Sequence, residues 1–472
     1  MRDAGRVTAA PDLDRAAGPS TGARADTGPR GLPSSAPTAA DRRLETAIAL
    51  FAVGLIGLRL NLKSGITSGL VASLALVPVW VPVLKRFAGA RLVVGLALTA
   101  AVSGLLLVTL AAPPPAINPN VRTNTVALLG GVICGVGVIL WARTLVGQRA
   151  IGLAFGIGML AGGALGGGGG GNPWKFIWAV PTAIVLLSLA QRGAPGSDGN
   201  GAGLPHKARE VMVLAVLALA SAVFTSRSYL ATFVLAALLV LVPLRPGALP
   251  RRASWVWVTA MFAAVSAAVY YLATTLLVDG YLGKEAQLRS IQQISESGSL
   301  LLGGRPELAA TIALMRDHPT GYGAGYVPTP DMVLTAKTGL KGINYNPDNG
   351  YVDHYMFGGH VELHSTFGDL WAVYGLAGLG LAVLLGAVTL RGLSEGIARR
   401  TASATLVFLC CWNLWNLVFS PLYSAAPTLT LGIGLLLAAR PHGEGRPGSS
   451  DLGVGLSGDH RAVPGAAQLA RD

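Results

Sequence analysis

Apolar runs of about 17–25 residues recur along this chain from Thr46 onwards, a length at which a helix crosses the hydrocarbon core of a bilayer. Twelve are distinguishable, at roughly 46–61, 66–84, 92–112, 124–142, 150–166, 174–190, 211–225, 228–244, 254–278, 366–390, 402–420 and 422–439. A backbone in lipid must satisfy its own hydrogen bonds, so only helices and closed barrels span membranes. These runs lack the period-two alternation of barrel strands. The expectation is therefore an all-α polytopic membrane protein of about 12 transmembrane helices. Charged residues form only 12% of the 472, well below the fraction usual in soluble domains. The fifth run is glycine-rich and the seventh is short, which leaves a re-entrant path open for either.

Charge placement gives the expected organisation. A tail over 1–43 precedes helices 1–9 over 44–278. One long polar loop over 279–365 follows, then helices 10–12 over 366–440 and a second tail over 441–472. With the N-terminus in the cytoplasm, 25 of the 36 Lys and Arg fall in the tails and the loops on that side, and six fall in the long loop. This is the positive-inside asymmetry. It puts both tails in the cytoplasm and the long loop, with its short helices, outside. The +13 net charge is thus mostly a topology signal. Nucleic acid is not expected as a partner, because no soluble basic face is offered.

Both tails have the composition of disordered segments, and neither has the apolar core of a signal peptide. Cys134, Cys410 and Cys411 fall inside apolar runs, so no disulfide framework or metal spacing follows. Arg outnumbers Lys 29 to 7, a compositional hint of a GC-rich bacterial genome. Several motifs resemble chemistry weakly. The six glycines Gly166–Gly171, followed by Asn172-Pro173-Trp174-Lys175, lack the Lys-Ser/Thr of a phosphate loop and read as an interhelical connection. Asp12-Leu13-Asp14 lies in the tail and is set aside. Asp348-Asn349-Gly350 with Asp353-His354 reads as a turn rather than a cation loop. Trp412 and Trp415 read as helical packing or an interfacial belt.

Three positions carry more. Arg227, in the tight turn Thr225-Ser226-Arg227-Ser228, faces outward, where arginine is disfavoured. It either snorkels to headgroups or binds an anion. Arg305 opens Gly304-Arg305-Pro306-Glu307, a helix-start pattern with Pro at the first position, running to about Arg316. There it serves either an ion pair within the loop or an anion at the helix N-terminus. His364 precedes the tenth run, where Thr366-x-x-Asp369 offers a capping box. A histidine so placed is either a helix-end hydrogen-bonder or a base at headgroup depth.

Ser226-Arg227, Gly304-Arg305-Pro306 through Pro319-x-Gly321-x-Gly323-x-Gly325, and His364-Ser365-x-Phe367 followed by Tyr374-Gly375-Leu376-x-Gly378 resemble the O-antigen ligase and O-antigen polymerase family. The resemblance spans roughly Val211 to Leu385 and the layout of twelve spans with one long outer loop. Many members carry Asn after the histidine and Trp after the loop arginine; this chain has Ser365, and no Trp between Arg305 and Arg316.

The resemblance implies a glycosyltransferase of the bacterial plasma membrane. It would move a glycan from undecaprenyl diphosphate to a sugar acceptor on a lipid or on another lipid-linked repeat, among membrane lipids. His364 would be the catalytic base, and Arg227 and Arg305 would hold the diphosphate. His360, Ser365 and Tyr322 are secondary candidates. The transfer is expected to be inverting, without metal or other cofactor. The alternative is a twelve-span secondary transporter of two six-span halves joined at Gln191–Glu210, which calls for charged residues or broken helices at mid-membrane.

Overall fold

The computed structural model describes residues 38–111, 114–166, 171–191, 204–241, 255–281 and 283–440. A helix or helix pair lies over every one of the twelve apolar runs. The helices are α1 (Ala39–Leu58), α2 (Ser68–Ala75), α3 (Val77–Trp80), α4 (Ala90–Leu110), α5 (Pro119–Ala142), α6 (Gln148–Gly166), α7 (Ala179–Ala190), α8 (Leu204–Val223), α9 (Arg227–Leu241) and α10 (Trp255–Val278), then, after a polar segment, α15 (Thr366–Ala398), α16 (Ala404–Phe419) and α17 (Leu422–Leu436). The polar segment holds α11 (Lys284–Ser297), α12 (Leu300–Gly304), α13 (Glu307–Asp317) and α14 (Pro330–Lys341). Among the described residues α4, α5, α6, α10 and α15 are long and apolar enough to cross a membrane. The α2–α3 pair adds a sixth candidate if it counts as one span. Helices α9, α16 and α17 are apolar but shorter, as is α7 with the π-helical turn Trp174–Trp178 ahead of it. The structure is thus all-α apart from a small hairpin, Asn61–Lys63 with Ile66–Thr67, and is compatible with a membrane protein.

The break in the helical spans falls elsewhere than expected. The fifth run is a continuous helix, α6, and the seventh lies in continuous α8 except for its last two residues. The second run bends by 59° between α2 and α3. Pro78 and Pro82 follow the bend, and neither can donate the backbone bond that would carry a helix through. Helix α1 also begins inside the segment expected as a tail. Thr38 and Asp41 make a reciprocal capping box, with Asp41 N–H donating to Thr38 Oγ1 at 3.2 Å and Thr38 N–H to Asp41 Oδ2 at 2.9 Å, so residues 39–43 are helical. Residues 1–37, with Asp12-Leu13-Asp14, and 441–472 lie outside the described residues, as do Gly167–Gly170 and most of the Gln191–Glu210 linker.

One continuous apolar core joins the helices. Small residues set its closest approach: a Cβ at Gly158 would overlap the carbonyl of Gly54, and one at Gly162 that of Leu58. Helices α1 and α6 therefore pack backbone to backbone in the small-xxx-small manner.

The polar segment has a second core of its own. Leu314, Met332, Leu340, Val352, Met356, Phe357 and Leu363 pack against Trp371 at the head of α15. The glycine turn fastens this small unit to the bundle. Tyr322 N–H donates to Ala372 O at 2.8 Å, Ala324 N–H to Gly104 O at 2.9 Å, and Trp371 Nε1–H to Pro319 O at 2.9 Å. Helix α15 kinks beneath the turn at Gly375, with φ 66° and ψ −150°, a backbone region reserved for glycine. The close approach expected of Gly321, Gly323 and Gly325 is thus to α4, α5 and α15.

Candidate functional site: a cationic cavity beside a histidine–carboxylate cluster

The turn between α8 and α9 is tight because Thr225 takes the left-handed conformation, φ 51°, and Ser226 N–H bonds back to Ser221 O at 2.7 Å. Arg227 becomes the first residue of α9, and its Nη1 donates to Ser290 Oγ of α11 at 3.1 Å. Arg289 sits one residue earlier on α11. Both arginines line a cavity of about 530 Å³ that also receives Arg305 and Lys175. Lys175 arrives because Asn172 anchors its segment: Asn172 Nδ2–H donates to Phe224 O at 2.7 Å, and Lys175 N–H to Asn172 Oδ1 at 2.9 Å.

Four cations therefore line one cavity, and among the described residues no Asp or Glu lines it. The hydroxyls of Ser226 and Ser266, both buried without a protein partner, lie on it too. Apolar side chains line it as well, among them Phe262, Val269 and Tyr270 of α10, Leu235 of α9 and Leu414 of α16, beside the polar Thr232 and Gln293. Such a cavity suits an anionic head attached to an apolar tail. Like charges held this close repel, and an anion relieves that repulsion.

Arg305 stands one residue outside the expected position. Pro306 is the N-cap of α13, not its first residue, and no side chain caps the helix. The guanidinium pairs with buried Glu307 at 3.3 Å and lies 5.9 Å from the ring centres of Trp415 and Phe419. Arg305 therefore makes the ion pair within the polar segment that the sequence offered as one alternative, and it also lines the cavity. Trp412, by contrast, is packing, stacked on Tyr229 at 4.2 Å.

His364 does not line the cavity. Glu307 and Tyr351 join the two places: Tyr351 Oη–H donates to Glu307 Oε2 at 3.3 Å, and the Tyr351 ring lies 6.2 Å from the His364 ring. Burial, and then the nearby Glu307 carboxylate, push the Tyr351 phenol well above the usual range. His364 is itself in the left-handed conformation, φ 52°. Asp369 holds the strand before it by accepting Leu363 N–H at 2.7 Å, and ties it to α17 by accepting Leu422 N–H at 2.7 Å. The expected Thr366–Asp369 capping box does not form. Ser365 is the N-cap, accepting Gly368 N–H at 3.2 Å, and Asp369 is spent on the other two amides.

Glu362 lies between two histidines. His360 Nε2 is 3.0 Å from its Oε2, and His364 Nε2 is 3.6 Å from its Oε1. The hydrogen bond to Glu362 holds the His360 imidazole above its ordinary pKa, against the opposing effect of burial. Burial alone would raise the Glu362 carboxyl, but the bond from His360 and the nearby imidazoles leave it below its usual range.

The secondary candidates separate. His360 joins His364 through Glu362. Ser365 is buried as a helix cap, its Oγ–H donating to Leu417 O at 3.3 Å. Tyr322 lines a different cavity beside α4, stacked on His318 at 4.8 Å. Asp348 and Asp353 both pair with Lys337, at 3.4 and 2.9 Å. Among the described residues no cluster of three His, Cys, Asp or Glu could hold a metal ion, and the three cysteines are buried and free. Sequence reasoning passed over Lys175, Arg289, Glu307, Tyr351 and Glu362 as site residues. Lys175 carried a signal, a lysine on the side of the chain where positive charge is scarce.

No protein-family model matches this chain, and no curated protein matches it.

Proposed function

We propose that the protein transfers a glycan from a polyprenyl-diphosphate carrier to a sugar hydroxyl at the outer face of a bacterial plasma membrane, as a surface-polysaccharide ligase or polymerase. In this reading all twelve apolar helices lie in the membrane, both tails are cytoplasmic and the 279–365 segment is outside. The observation that carries the reading is the convergence of Arg227, Arg289, Arg305 and Lys175 on one cavity that many apolar side chains also line. A lipid diphosphate has that duality. Guanidinium groups suit its oxygens bidentately, and such contacts strengthen as the anomeric C–O bond breaks and negative charge gathers on the leaving group. Fixed cations can neutralise that charge without a metal. His364 takes the proton of the acceptor hydroxyl, a role worth about 10²–10⁴-fold in rate. Attack opposite the leaving group inverts the anomeric centre.

Deletion and complementation test this. Surface glycan is lost on deletion and restored by the wild-type gene, while His364→Ala and Arg305→Ala, inserted at normal levels, fail to restore it. Normal glycan with either variant sinks the assignment. Full-length polymer left on the carrier after deletion marks a ligase, and single repeats mark a polymerase. Unaltered glycan with altered solute uptake would favour the transporter.

A further inference from the structure

The contacts around His364 show which of its nitrogens is available. A carbonyl oxygen only accepts, so the 3.3 Å contact between His364 Nδ1 and Glu362 O requires the proton on Nδ1 and leaves the lone pair on Nε2. That lone pair faces the Glu362 carboxylate at 3.6 Å, an arrangement that favours the ring once Nε2 has gained a proton. The other carboxylate oxygen holds His360 at 3.0 Å, and the His360 side chain is 49% exposed while that of His364 is 20% exposed. The bond from His360 Nε2–H therefore holds the Glu362 carboxylate beside the more sheltered His364 ring.

We propose that Glu362 is a positioning residue: its carbonyl sets the His364 tautomer, and its carboxylate, held in place by the bond from His360 Nε2–H, stabilises the proton arriving on His364 Nε2. The inference rests on reading His364 as the base. In the step it serves, the acceptor O–H proton moves to Nε2, and the acceptor oxygen forms the bond to the anomeric carbon. The anomeric C–O bond breaks, and its electrons leave with the lipid diphosphate. The charged groups facing the cluster are His360 and His364, Asp369 at the head of α15, and, beyond the Tyr351 ring, the Glu307–Arg305 pair. The carboxylate of Glu362 alone among them contacts both imidazoles.

The test uses the full chain in membranes with a polyprenyl-diphosphate glycan donor, measuring kcat and KM across pH. Glu362→Gln lowers kcat by about 10²-fold and leaves the donor KM unchanged; Glu362→Asp restores part of the rate. A Glu362→Gln enzyme with wild-type kcat overturns the proposal. If His364→Ala is inactive in that same experiment, only the role of Glu362 has failed. A fully active His364→Ala means the base reading itself has failed. A second measurement needs no active variant. Ring-nitrogen ¹⁵N spectra of the wild-type protein, assigned by the signals lost in His364→Gln, show His364 protonated on Nδ1 when neutral. The Nε2-protonated tautomer overturns the proposal.

Discussion

The Arg305 guanidinium is held 3.3 Å from the Glu307 carboxylate, and Glu307 is buried to 1% exposure. That carboxylate also accepts the Tyr351 hydroxyl at 3.3 Å, so one buried acid sets the aim of a cavity cation and the position of the ring beside His364.

Replacing Glu307 with Ala strands two partners at once. A lost hydrogen bond to a charged group is worth about 1.5–3 kcal/mol, and the leftover charge adds to this where it stays desolvated. Glu307→Ala lowers the thermal midpoint in detergent and weakens the proposed glycan transfer even in the fraction that remains folded. Equal midpoints for variant and wild type would show that the pair is not structural.

Gly375 and Gly380 lie on one helix and respond in opposite directions to alanine. At Gly375 the backbone has φ +66°, and a Cβ would meet Thr320 O at 2.6 Å; at Gly380 the nearest atom is Leu96 Cδ2 at 4.0 Å. Gly375→Ala therefore destabilises by about 1–3 kcal/mol from backbone strain alone, while Gly380→Ala is neutral or stabilises by up to about 1 kcal/mol. Thermal midpoints of the two variants check the contrast.

The His360–Glu362 contact gives a pH window. A histidine whose folded pKa is raised above its ordinary 6.5 contributes stability fully present below 6.5 and lost as pH rises through the folded value. A glutamate whose folded pKa is lowered contributes stability present above its ordinary 4.5 and lost as pH falls through the folded value. The contact is therefore strongest between 4.5 and 6.5. The stability difference between wild type and His360→Gln is largest there, shrinks on the alkaline side and is screened by salt. Thermal denaturation at a series of pH values measures it, and a difference independent of pH would contradict it.

The cation wall predicts anion binding independent of any glycan. Inorganic pyrophosphate raises the thermal midpoint of the wild-type protein, by the linkage that gives about 2.7 kcal/mol at a hundredfold excess over Kd. Added salt suppresses the effect. Arg289→Gln removes one contact and weakens binding by about 10-fold or more, while slightly raising the midpoint of the ligand-free protein because like charges are thinned. Identical pyrophosphate titrations of the two proteins would exclude Arg289 from the site.

Much was legible in the sequence because the relevant physics is local. Apolar length reports where helices form, since a helix closes its backbone bonds within a few residues, and a helix or helix pair lies over each of the twelve runs. The glycine turn announced a close backbone approach. Arg227 and His364 were visible as polar groups at the ends of apolar runs, and Arg305 as the opening of a helix-start pattern inside the polar segment. Which neighbours they meet is set by contacts between residues far apart in the chain, which no local pattern encodes. Lys175, Arg227, Arg289 and Arg305 come from four separate segments, the turn ahead of α7, the start of α9, α11 and the residue after α12, and only tertiary packing brings them to one cavity. The capping role went to Ser365 instead of Thr366 because tertiary contacts with Leu363 and Leu422 claimed Asp369. The sequence by itself determined an all-helical, lipid-compatible chain with one polar segment. Tertiary structure decided that Arg305 joins Arg227 on a cation wall, while His364 sits apart with Glu362 and His360.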